Sequence, residues 1–394
     1  MKTIRDLSLS GKTVLVRVDF NVPLDDNGAI TDDSRIRGAL PTIRYGIDQG
    51  AVMVVASHLG RPKGRVVDAF RLKPAADRLT EFIGMEVSMA GDCIGEAVAR
   101  KIQETAPGGV VMLENLRFHP EEESNDDAFA RSLASLCDVY VNDAFAVSHR
   151  SNASVDAITR HAPVSVAGFL MEKELTTFES AMSNPARPLA AIVGGAKVSG
   201  KLGALTNLMA HVDRLLIGGA MANTFLKAEG RTVGRSLVEE DLVNTARQII
   251  TAAEEKGIGL FLPVDVIVAR SMDAEDCKTV DVDQIPEWGM AMDIGPKSIR
   301  RFVEAIRDCG TIIWNGPMGV FEREPFSNGT MAVAKAVGDA EGMTIVGGGD
   351  TDAAVHRSGV AKNISYISTG GGAFLQLLEG KPLPGVQALE RSAG

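Results

Sequence analysis

The chain has 394 residues, of which 45% are hydrophobic and 23% charged, and its formal net charge is -10. This length predicts two domains, and the composition excludes a disordered chain. The negative charge disfavours a nucleic-acid or anionic-membrane partner, because either would be repelled on average.

The four cysteines lie far apart in the sequence and include no C-x-x-C pair. This spacing argues against a zinc site and is typical of a protein from a reducing cytosol. The first residues, MKTIRDLSLSG, lack the apolar core of a signal peptide, and no stretch approaches the ~18 apolar residues of a membrane span. We therefore expect a cytoplasmic protein.

Short apolar runs alternate with helix-period stretches along the chain. The strand candidates are TVLVRV (13–18), AVMVVA (51–56), VVML (110–113), DVYV (138–141), LAAIV (189–193), RLLI (214–217), GLFL (259–262), TIIW (311–314), MTIV (343–346) and ISYI (364–367). Between the first two, SRIRGALPTIRYGIDQG carries one apolar stripe and predicts a helix that ends at Gly50. Apolar runs of this kind suit strands covered on both faces, so the alternation predicts parallel α/β sheets.

A boundary is expected within 161–190, where MEKELTTFESAM has a helical pattern and SNPARP breaks it. The fold class is therefore α/β, with two doubly wound (Rossmann-like) parallel-sheet domains joined by a linker helix. We expect the first domain at 1–168, the linker at 169–185 and the second domain at 186–378. An ordinary surface helix is the alternative to the linker.

Basic residues gather where the strands of the first half end, and ligands of open parallel sheets bind at the carboxyl ends of strands. The polar residues that follow these strands or open the next helix are Asp19, Asn21, Arg35, His58, Arg61, Lys63, Arg117, His149 and Arg150. A single arginine is most simply a surface residue. The four arginines, Arg35, Arg61, Arg117 and Arg150, occupy equivalent positions after strands and therefore favour a shared anion site. Guanidinium groups bind phosphate and carboxylate through two hydrogen bonds.

Glycine-rich segments end the strands of the second half: GGAKVSGK (194–201), GGGDT (347–351) and STGGGA (368–373). Glycines before a helix N-terminus let backbone N–H groups approach phosphate. Together with Lys197, Lys201 and Asp350, these segments indicate the triphosphate end of a nucleotide. No G-x-G-x-x-G motif is present, which weakens the case for a dinucleotide-binding dehydrogenase.

The segment at 195–202 is one residue short of the P-loop pattern G-x-x-x-x-G-K-S/T, because Leu202 stands where the magnesium-binding hydroxyl would be. A magnesium ligand must therefore come from another strand end. Asp350 is the available carboxylate there, and its alternative role is a helix N-cap before TDAAV.

From about residue 3 to 390 the chain resembles the phosphoglycerate kinases. The motifs that carry the resemblance are VRVDFNVPL, TDDSRIRGALPTI, ASHLGRPKG, LENLRFHPEEE, VNDAF, GGAKVSGK, WNGPMGVFE, GGGDT and STGGGA. The resemblance implies a monomeric two-domain glycolytic enzyme that transfers a phosphoryl group between 1,3-bisphosphoglycerate and ADP, giving 3-phosphoglycerate and ATP. It also implies that the N-terminal domain binds phosphoglycerate, that the C-terminal domain binds Mg²⁺ with ATP or ADP, and that residues 379–394 return to the N-terminal domain.

The resemblance also implies roles for individual residues. The triose site would comprise Asp19, Asn21, Arg35, His58, Gly60, Arg61, Arg117 and Arg150. The nucleotide site would comprise Gly195, Lys197, Lys201, Asn315, Glu322, Gly348, Gly349, Asp350 and Thr351, with Glu322 near the ribose and Asp350 on magnesium. The transition state would be stabilised by Arg35, Lys197, Lys201 and the N–H groups near Gly349 and Gly372.

Two segments depart from the family pattern. AVSHRSN (146–152) replaces the more usual Gly-Thr-Ala-His-Arg-Ala-His but keeps Arg150, and Gly200 stands where relatives often have a larger polar residue. The first departure bears on the shape of the loop, and the second on the turn between the two lysines.

Two other functions compete with this interpretation. One is another acyl-phosphate kinase that acts on a small phosphorylated acid, and the other is a non-catalytic metabolite-binding protein. The second would have no use for two lysines and an aspartate at glycine-rich strand ends. Because separate domains would carry the two reactants, we also expect domain closure through 161–190.

Overall fold

The computed structural model describes residues 1–392, so positions 393 and 394 of the tail predicted at 379–394 lie outside it. By its internal contacts the chain divides into two units. The first consists of Met1–Thr176 together with the C-terminal segment from Pro382, and the second is Thr177–Lys381.

The first unit is built on a six-stranded sheet in the order β3-β4-β2-β1-β5-β6, and every neighbouring pair is parallel. Its strands are β1 (Thr13–Arg17), β2 (Val52–Ala56), β3 (Val87–Met89), β4 (Val110–Met112), β5 (Val139–Asn142) and β6 (Ser165–Ala167). β3 and β6 were not predicted, because a serine interrupts each of these short apolar runs, VSM and SVA.

Helices connect these strands: α1 (Ser34–Asp48), α2 (Lys73–Ile83), α3 (Glu96–Gln103), α4 (Pro120–Glu123) and α5 (Asp127–Ala134). The predicted stripe of α1 faces the core, where Ile36 and Ile43 are fully buried. The helix ends as expected, since Gly50 just beyond it has a φ of +75°.

Helix α6 (Phe169–Ser183) follows β6, and the division between the units falls within it, between Thr176 and Thr177. The last helix of the chain, labelled α14 (Pro384–Ser392), packs on the first unit. Its Gly385 N–H donates to the Ser148 carbonyl at 2.9 Å. Its Arg391 pairs with Asp156 at 2.8 Å.

The second unit has a six-stranded parallel sheet in the order β15-β14-β13-β7-β8-β9. Its strands are β7 (Leu189–Val193), β8 (Arg214–Ile217), β9 (Gly259–Phe261), β13 (Thr311–Asn315), β14 (Met343–Val346) and β15 (Tyr366–Ile367). Its helices are α7 (Leu202–Leu208), α8 (Met221–Ala228), α9 (Val243–Glu255), α10 (Pro296–Ile306), α11 (Asn328–Gly338), α12 (Gly349–Arg357) and α13 (Gly371–Leu378). The two parallel α/β sheets confirm the predicted fold class.

A small antiparallel sheet in the second unit was not predicted. It joins β10 (Asp265–Ala269) to β11 (Cys277–Asp281) and β12 (Met290–Ile294). The residues of β11 are polar and largely exposed, so no apolar run marks the strand. β10 follows β9 without an intervening helix, which a strict strand–helix alternation does not anticipate.

Candidate functional site

The first cluster of charged side chains lies where β1, β2 and β4 end. Arg35, near the start of α1, donates from Nη1 to the Asp19 carboxylate at 2.8 Å and to the Asn21 carbonyl at 3.2 Å. The Asn21 side-chain oxygen in turn accepts the Gly60 N–H at 2.8 Å. The segments after β1 and β2 are therefore tied together through residues that the sequence had singled out.

Asp19 is nearly buried yet held as an anion. Burial raises the pKa of its carboxyl group, whereas His58, Arg35 and the Asn21 N–H lower it, so that the pKa lies below its ordinary value. Burial brings the pKa of His58 well below its usual range, although Asp19 opposes that shift. His58 is therefore neutral at neutral pH, and Asp19 accepts hydrogen bonds rather than protons.

Arg17, on β1, is a charged member of this cluster that sequence reasoning missed. It is only 1% exposed and donates to the Ser154 hydroxyl at 2.8 Å. Its Nη2 lies 3.2 Å from His58 Nδ1. A guanidinium inside a buried strand is costly unless it is paired. The available signal was an arginine within the apolar run VLVRV. It was overlooked because the run was interpreted only as a buried strand.

Arg117 lies on the segment that follows β4. Arg117 donates to the Gly60 carbonyl at 2.8 Å. Burial lowers the pKa of Arg117, Glu123 opposes the shift, and the positive charges of Arg17 and Arg150 add to it. Arg150 is thus within electrostatic range of the cluster.

Arg61, by contrast, is exposed and has no ion-pair or hydrogen-bond partner within residues 1–392. In the altered loop at 146–152, Arg150 is exposed and donates to His149 Nε2 at 3.2 Å. The loop departure therefore leaves the arginine open to solvent. Both guanidinium groups are accessible to a ligand.

The second cluster is in the other unit, where β7 and β13 end. Lys201 directs its ammonium group to Asn315, donating to the main-chain oxygen at 3.2 Å and also to the side-chain oxygen. The Asn315 amide donates to the Gly347 carbonyl at 2.7 Å, which connects the ends of β13 and β14. Lys201 therefore lies within the glycine-rich ends of three neighbouring strands.

The protonation of Lys201 should depend on whether an anion is bound beside it. Burial lowers the pKa of its ammonium group to about 8, against the opposing charge of Asp350. An anion beside Lys201 would raise that pKa and restore the full charge. A partly buried lysine with a lowered pKa at the ends of parallel strands is a frequent feature of functional sites.

Helix N-termini converge beside this lysine. A Cβ placed on Gly371, the first residue of α13, would lie 3.7 Å from the Gly349 nitrogen at the start of α12. Gly372 is the exposed second residue of α13. Free N–H groups and the positive ends of two helix dipoles therefore lie side by side, an arrangement that favours phosphate.

Asp350 is exposed in the first turn of α12 and does not cap it, because the N-cap is Gly348, which has a φ of +100°. The Asp350 carboxylate makes no hydrogen bond within residues 1–392. The alternative role as an N-cap is therefore wrong. Thr351, next to it, is buried, and its hydroxyl accepts the Gly316 N–H at 2.7 Å.

Lys197 and Glu322 are exposed on loops, at 194–201 and after β13, and neither makes a hydrogen bond within the described 392 residues. Gly195 has a φ of +110°, and a Cβ placed on it would point into open space. A Cβ placed on Gly200 would have only the Lys197 carbonyl oxygen within 4 Å, at 3.9 Å, so there is room for a side chain at this position. The Lys201 N–H closes this turn by donating to the Val198 carbonyl at 2.9 Å.

Gly219, after β8, belongs to this site by position although it was not predicted as a site residue. Its φ is +68°, and a Cβ there would approach the Gly195 nitrogen to 2.5 Å. The Gly219 N–H donates to the Met318 carbonyl at 3.0 Å. The strand-plus-glycine pattern LIGG was the signal, but it is shared with many tight turns.

Glu239 is a second residue that the sequence did not reveal. Its carboxylate accepts the Ser199 N–H at 2.9 Å and the Ser199 hydroxyl at 2.5 Å. Forty positions separate the two residues in the chain, so only the folded backbone shows that Glu239 anchors the 194–201 loop.

A parallel α/β chain with arginines at the strand ends of one unit, and a lysine among glycine-rich helix N-termini in the other, is typical of an α/β phosphotransferase. The family model described as phosphoglycerate kinase matches residues 4–381. The chain belongs to the phosphoglycerate kinase family.

Relatives of known name agree with this assignment. The phosphoglycerate kinase of Desulfosudis oleivorans is 61% identical over 393 residues, covering 100% of this chain and 99% of the relative. That of Desulforapulum autotrophicum is 56% identical, covering 99% and 100%. The structure of phosphoglycerate kinase from Coxiella burnetii superposes with a TM-score of 0.90 at 41% identity, covering 100% of this chain and 99% of that one. The family resemblance and the phosphotransferase class expected from the sequence are confirmed.

Proposed function

We propose that this protein catalyses reversible phosphoryl transfer between 1,3-bisphosphoglycerate and ADP, giving 3-phosphoglycerate and ATP. Membership of a family of glycolytic kinases supports the reaction class. The observation that carries the proposal is that one chain contains two different clusters suited to bind anions. One unit gathers arginines for a small anionic acid, and the other sets a lysine beside two adjacent helix N-termini.

In the first unit, Arg35, Arg61, Arg117 and Arg150 would bind the phosphate and carboxylate of the triose. Arg61 and Arg150 are exposed and open to a ligand, whereas Arg35 and Arg117 are held by Asp19 and the Gly60 carbonyl. The neutral His58 and the amide of Asn21 suit the substrate hydroxyl, which needs hydrogen bonds rather than charge. A phosphorylated acid uses all of these groups.

In the second unit, Lys201, Lys197 and the N–H groups near Gly349 and Gly372 would bind the nucleotide phosphates. Asn315 orients Lys201, and Glu322 would lie near the ribose. Gly195, Gly348 and Thr351 would shape the turns around the phosphates.

Asp350 would hold the Mg²⁺ that accompanies the nucleotide. Its exposed carboxylate, free of internal hydrogen bonds, fits a hard cation that keeps most of its water and takes one or two carboxylates. When bound, the ion would supply positive charge beside the phosphate oxygens. Leu202 cannot serve as a ligand, because its side chain has no oxygen.

The reaction requires no general base, since the attacking carboxylate of 3-phosphoglycerate is ionised at neutral pH. One carboxylate oxygen forms a bond to the γ-phosphorus while the bond from that phosphorus to the β-phosphate oxygen breaks, and ADP leaves. The transferring phosphoryl carries negative charge on its equatorial oxygens. Arg35 and Lys201 would stabilise that charge, which is the larger part of the catalytic task.

The alternative acyl-phosphate kinase is not favoured by the full-length similarity to phosphoglycerate kinases. Steady-state phosphorylation with ATP should separate the two. We expect 3-phosphoglycerate to be used with a kcat/KM at least about 10³-fold above that of unphosphorylated glycerate, because the latter leaves arginines unpaired. Equal use of both acids, or preference for another acid, would refute the proposed substrate.

We also propose a cytoplasmic monomer that uses only small molecules, with closure of the two domains through 161–190 during the reaction. Within residues 1–392 the structure has no helix long and apolar enough to cross a membrane. Small-angle scattering on the free, singly liganded and doubly liganded protein tests the closure. The radius of gyration should be smallest when both ligands are bound, and no change in an active enzyme would contradict the hinge.

A further inference from the structure

Three metal-binding side chains meet in the first unit, on the segments that follow β3 and β4. Asp92 and Cys93 lie on the loop between β3 and α3, and His119 follows β4 as the residue before α4. His119 Nε2 is 2.7 Å from the Asp92 carboxylate. One donor atom from each of the three residues lies within 4.8 Å of the other two.

These distances are close to those of a coordination sphere. Three points within 4.8 Å of one another share a point no more than about 2.8 Å from each, whereas zinc bonds to nitrogen, oxygen and sulfur measure about 2.0–2.3 Å. Shifts of less than about 1 Å would therefore bring all three donors to bonding distance. Asp92 and His119 have side chains 53% and 26% exposed, so an ion can reach the cluster from solvent.

The surroundings of the thiol suit a cation. Cys93 is buried, and burial raises the pKa of its thiol, as do the negative charges of Asp92 and Glu122. Glu122 is itself fully buried. The same charges that oppose an isolated thiolate would attract a divalent ion, and a bound ion deprotonates a coordinating thiol.

We propose that Asp92, Cys93 and His119 form a binding site for a divalent transition metal ion of the zinc class. The thiol binds as thiolate and releases its proton to solvent, the imidazole and carboxylate supply the second and third ligands, and water completes a tetrahedron. Mixed nitrogen, oxygen and sulfur donors select zinc or cobalt over magnesium.

The spacing of the cysteines argued against such a site, because many zinc sites contain pairs of cysteines near one another in sequence. Here the fold brings a single cysteine to a histidine 26 positions away, across the neighbouring strands β3 and β4. His119 is two residues beyond Arg117. A bound ion would therefore also fix the end of the turn that carries this arginine.

Cobalt(II) titration of the reduced full-length protein tests the site, since thiolate–cobalt bonds absorb in the near ultraviolet. We expect one equivalent of cobalt to produce this band and one equivalent of zinc to remove it. Cys93→Ser should abolish the band, and His119→Gln and Asp92→Asn should each weaken binding about 10-fold or more. Cys137→Ala is the control, because Cys137 is another, partly buried thiol of the same unit but lies outside the cluster.

The variants of Asp92 and His119 change partly exposed side chains, so they keep the test valid if Cys93→Ser does not fold. Circular dichroism establishes folding for each. Absence of the band in the native protein would overturn the proposal and leave an ordinary histidine–aspartate hydrogen bond. A band that survives in folded Cys93→Ser, or is unweakened in the other two variants, would overturn it as well.

Discussion

The guanidinium group of Arg35 is held 2.8 Å from the carboxylate of Asp19, which is itself nearly buried. This contact keeps one positive charge in a fixed direction while 33% of the arginine side chain remains exposed. Arg35→Ala should lower kcat much more than it raises the KM for ATP. Loss of one such charge typically costs about 10²–10³ in rate.

Arg37→Ala is the matched control for that experiment, because Arg37 is on the same helix but forms a solvent-exposed ion pair with Asp33. Its kcat should stay within about twofold of the native value, since exposed pairs contribute little. An Arg35→Ala enzyme within threefold of the native rate would remove Arg35 from the mechanism.

Lys201 should make nucleotide binding depend on pH. Because the pKa of Lys201 is about 8 in the free protein, about half of the molecules lack the charge at pH 8. Bound phosphate favours the protonated form, so binding should take up protons near pH 8 and weaken as pH rises further. Calorimetry in buffers of different ionisation enthalpy measures this uptake.

Lys201→Met should abolish the proton uptake and weaken nucleotide binding. Lys362→Met should change neither the proton uptake nor nucleotide binding. Lys362 is exposed and precedes β15, at the end of the sheet where the strands begin. Unchanged proton uptake in Lys201→Met would mean that another group titrates with the nucleotide.

Asp350→Asn should weaken binding of Mg-nucleotide while leaving binding of 3-phosphoglycerate almost unchanged, since the two ligands are assigned to different units. Calorimetry with each ligand measures both effects. Asp339→Asn is a control, because Asp339 directly follows α11 and precedes β14, away from the carboxyl ends of the strands. Equal losses for both ligands in Asp350→Asn would indicate a general structural effect.

Glu239 should act as a positioning residue for the loop at 194–201, because its carboxylate accepts two hydrogen bonds from Ser199. Glu239→Ala should raise the KM for ATP about 3- to 10-fold, with little change in the KM for 3-phosphoglycerate. Amide hydrogen exchange at 196–200 should become faster.

Glu240→Ala supplies the comparison for Glu239, since the adjacent Glu240 pairs instead with Lys227 at 2.5 Å. It should leave both exchange and KM near native values. If the two variants behave alike, the effect belongs to the charge of the segment and not to the anchoring of the loop.

Much of the parallel architecture could be predicted because buried strands leave continuous apolar runs. LAAIV, RLLI and MTIV became β7, β8 and β14 with the expected bounds. β10 is apolar and mostly buried, and it escaped prediction because no helix separates it from β9. β3 is short and its apolar run is interrupted by a serine, whereas β11 is polar and exposed. Such segments take their structure from neighbouring strands, and their own sequence carries little periodicity.

Some residues of the candidate sites could likewise be predicted from the sequence, and others could not. Residues directly after strands, such as Asp19 and Lys201, could be predicted because a parallel sheet gathers its carboxyl ends. Arg17 was hidden by its position inside a strand. The contact between Glu239 and Ser199 depends on distances between residues far apart in sequence, and no local pattern encodes it.

Trapping the product most directly tests the claim that phosphoryl transfer goes to a carboxylate. The native enzyme is incubated with Mg-ATP, 3-phosphoglycerate and hydroxylamine, which converts an acyl phosphate to a hydroxamate and releases phosphate. Hydroxamate and ADP should form in equal amounts, and neither should form without 3-phosphoglycerate. ADP produced without hydroxamate, or no reaction with both substrates present, would contradict transfer to the carboxylate.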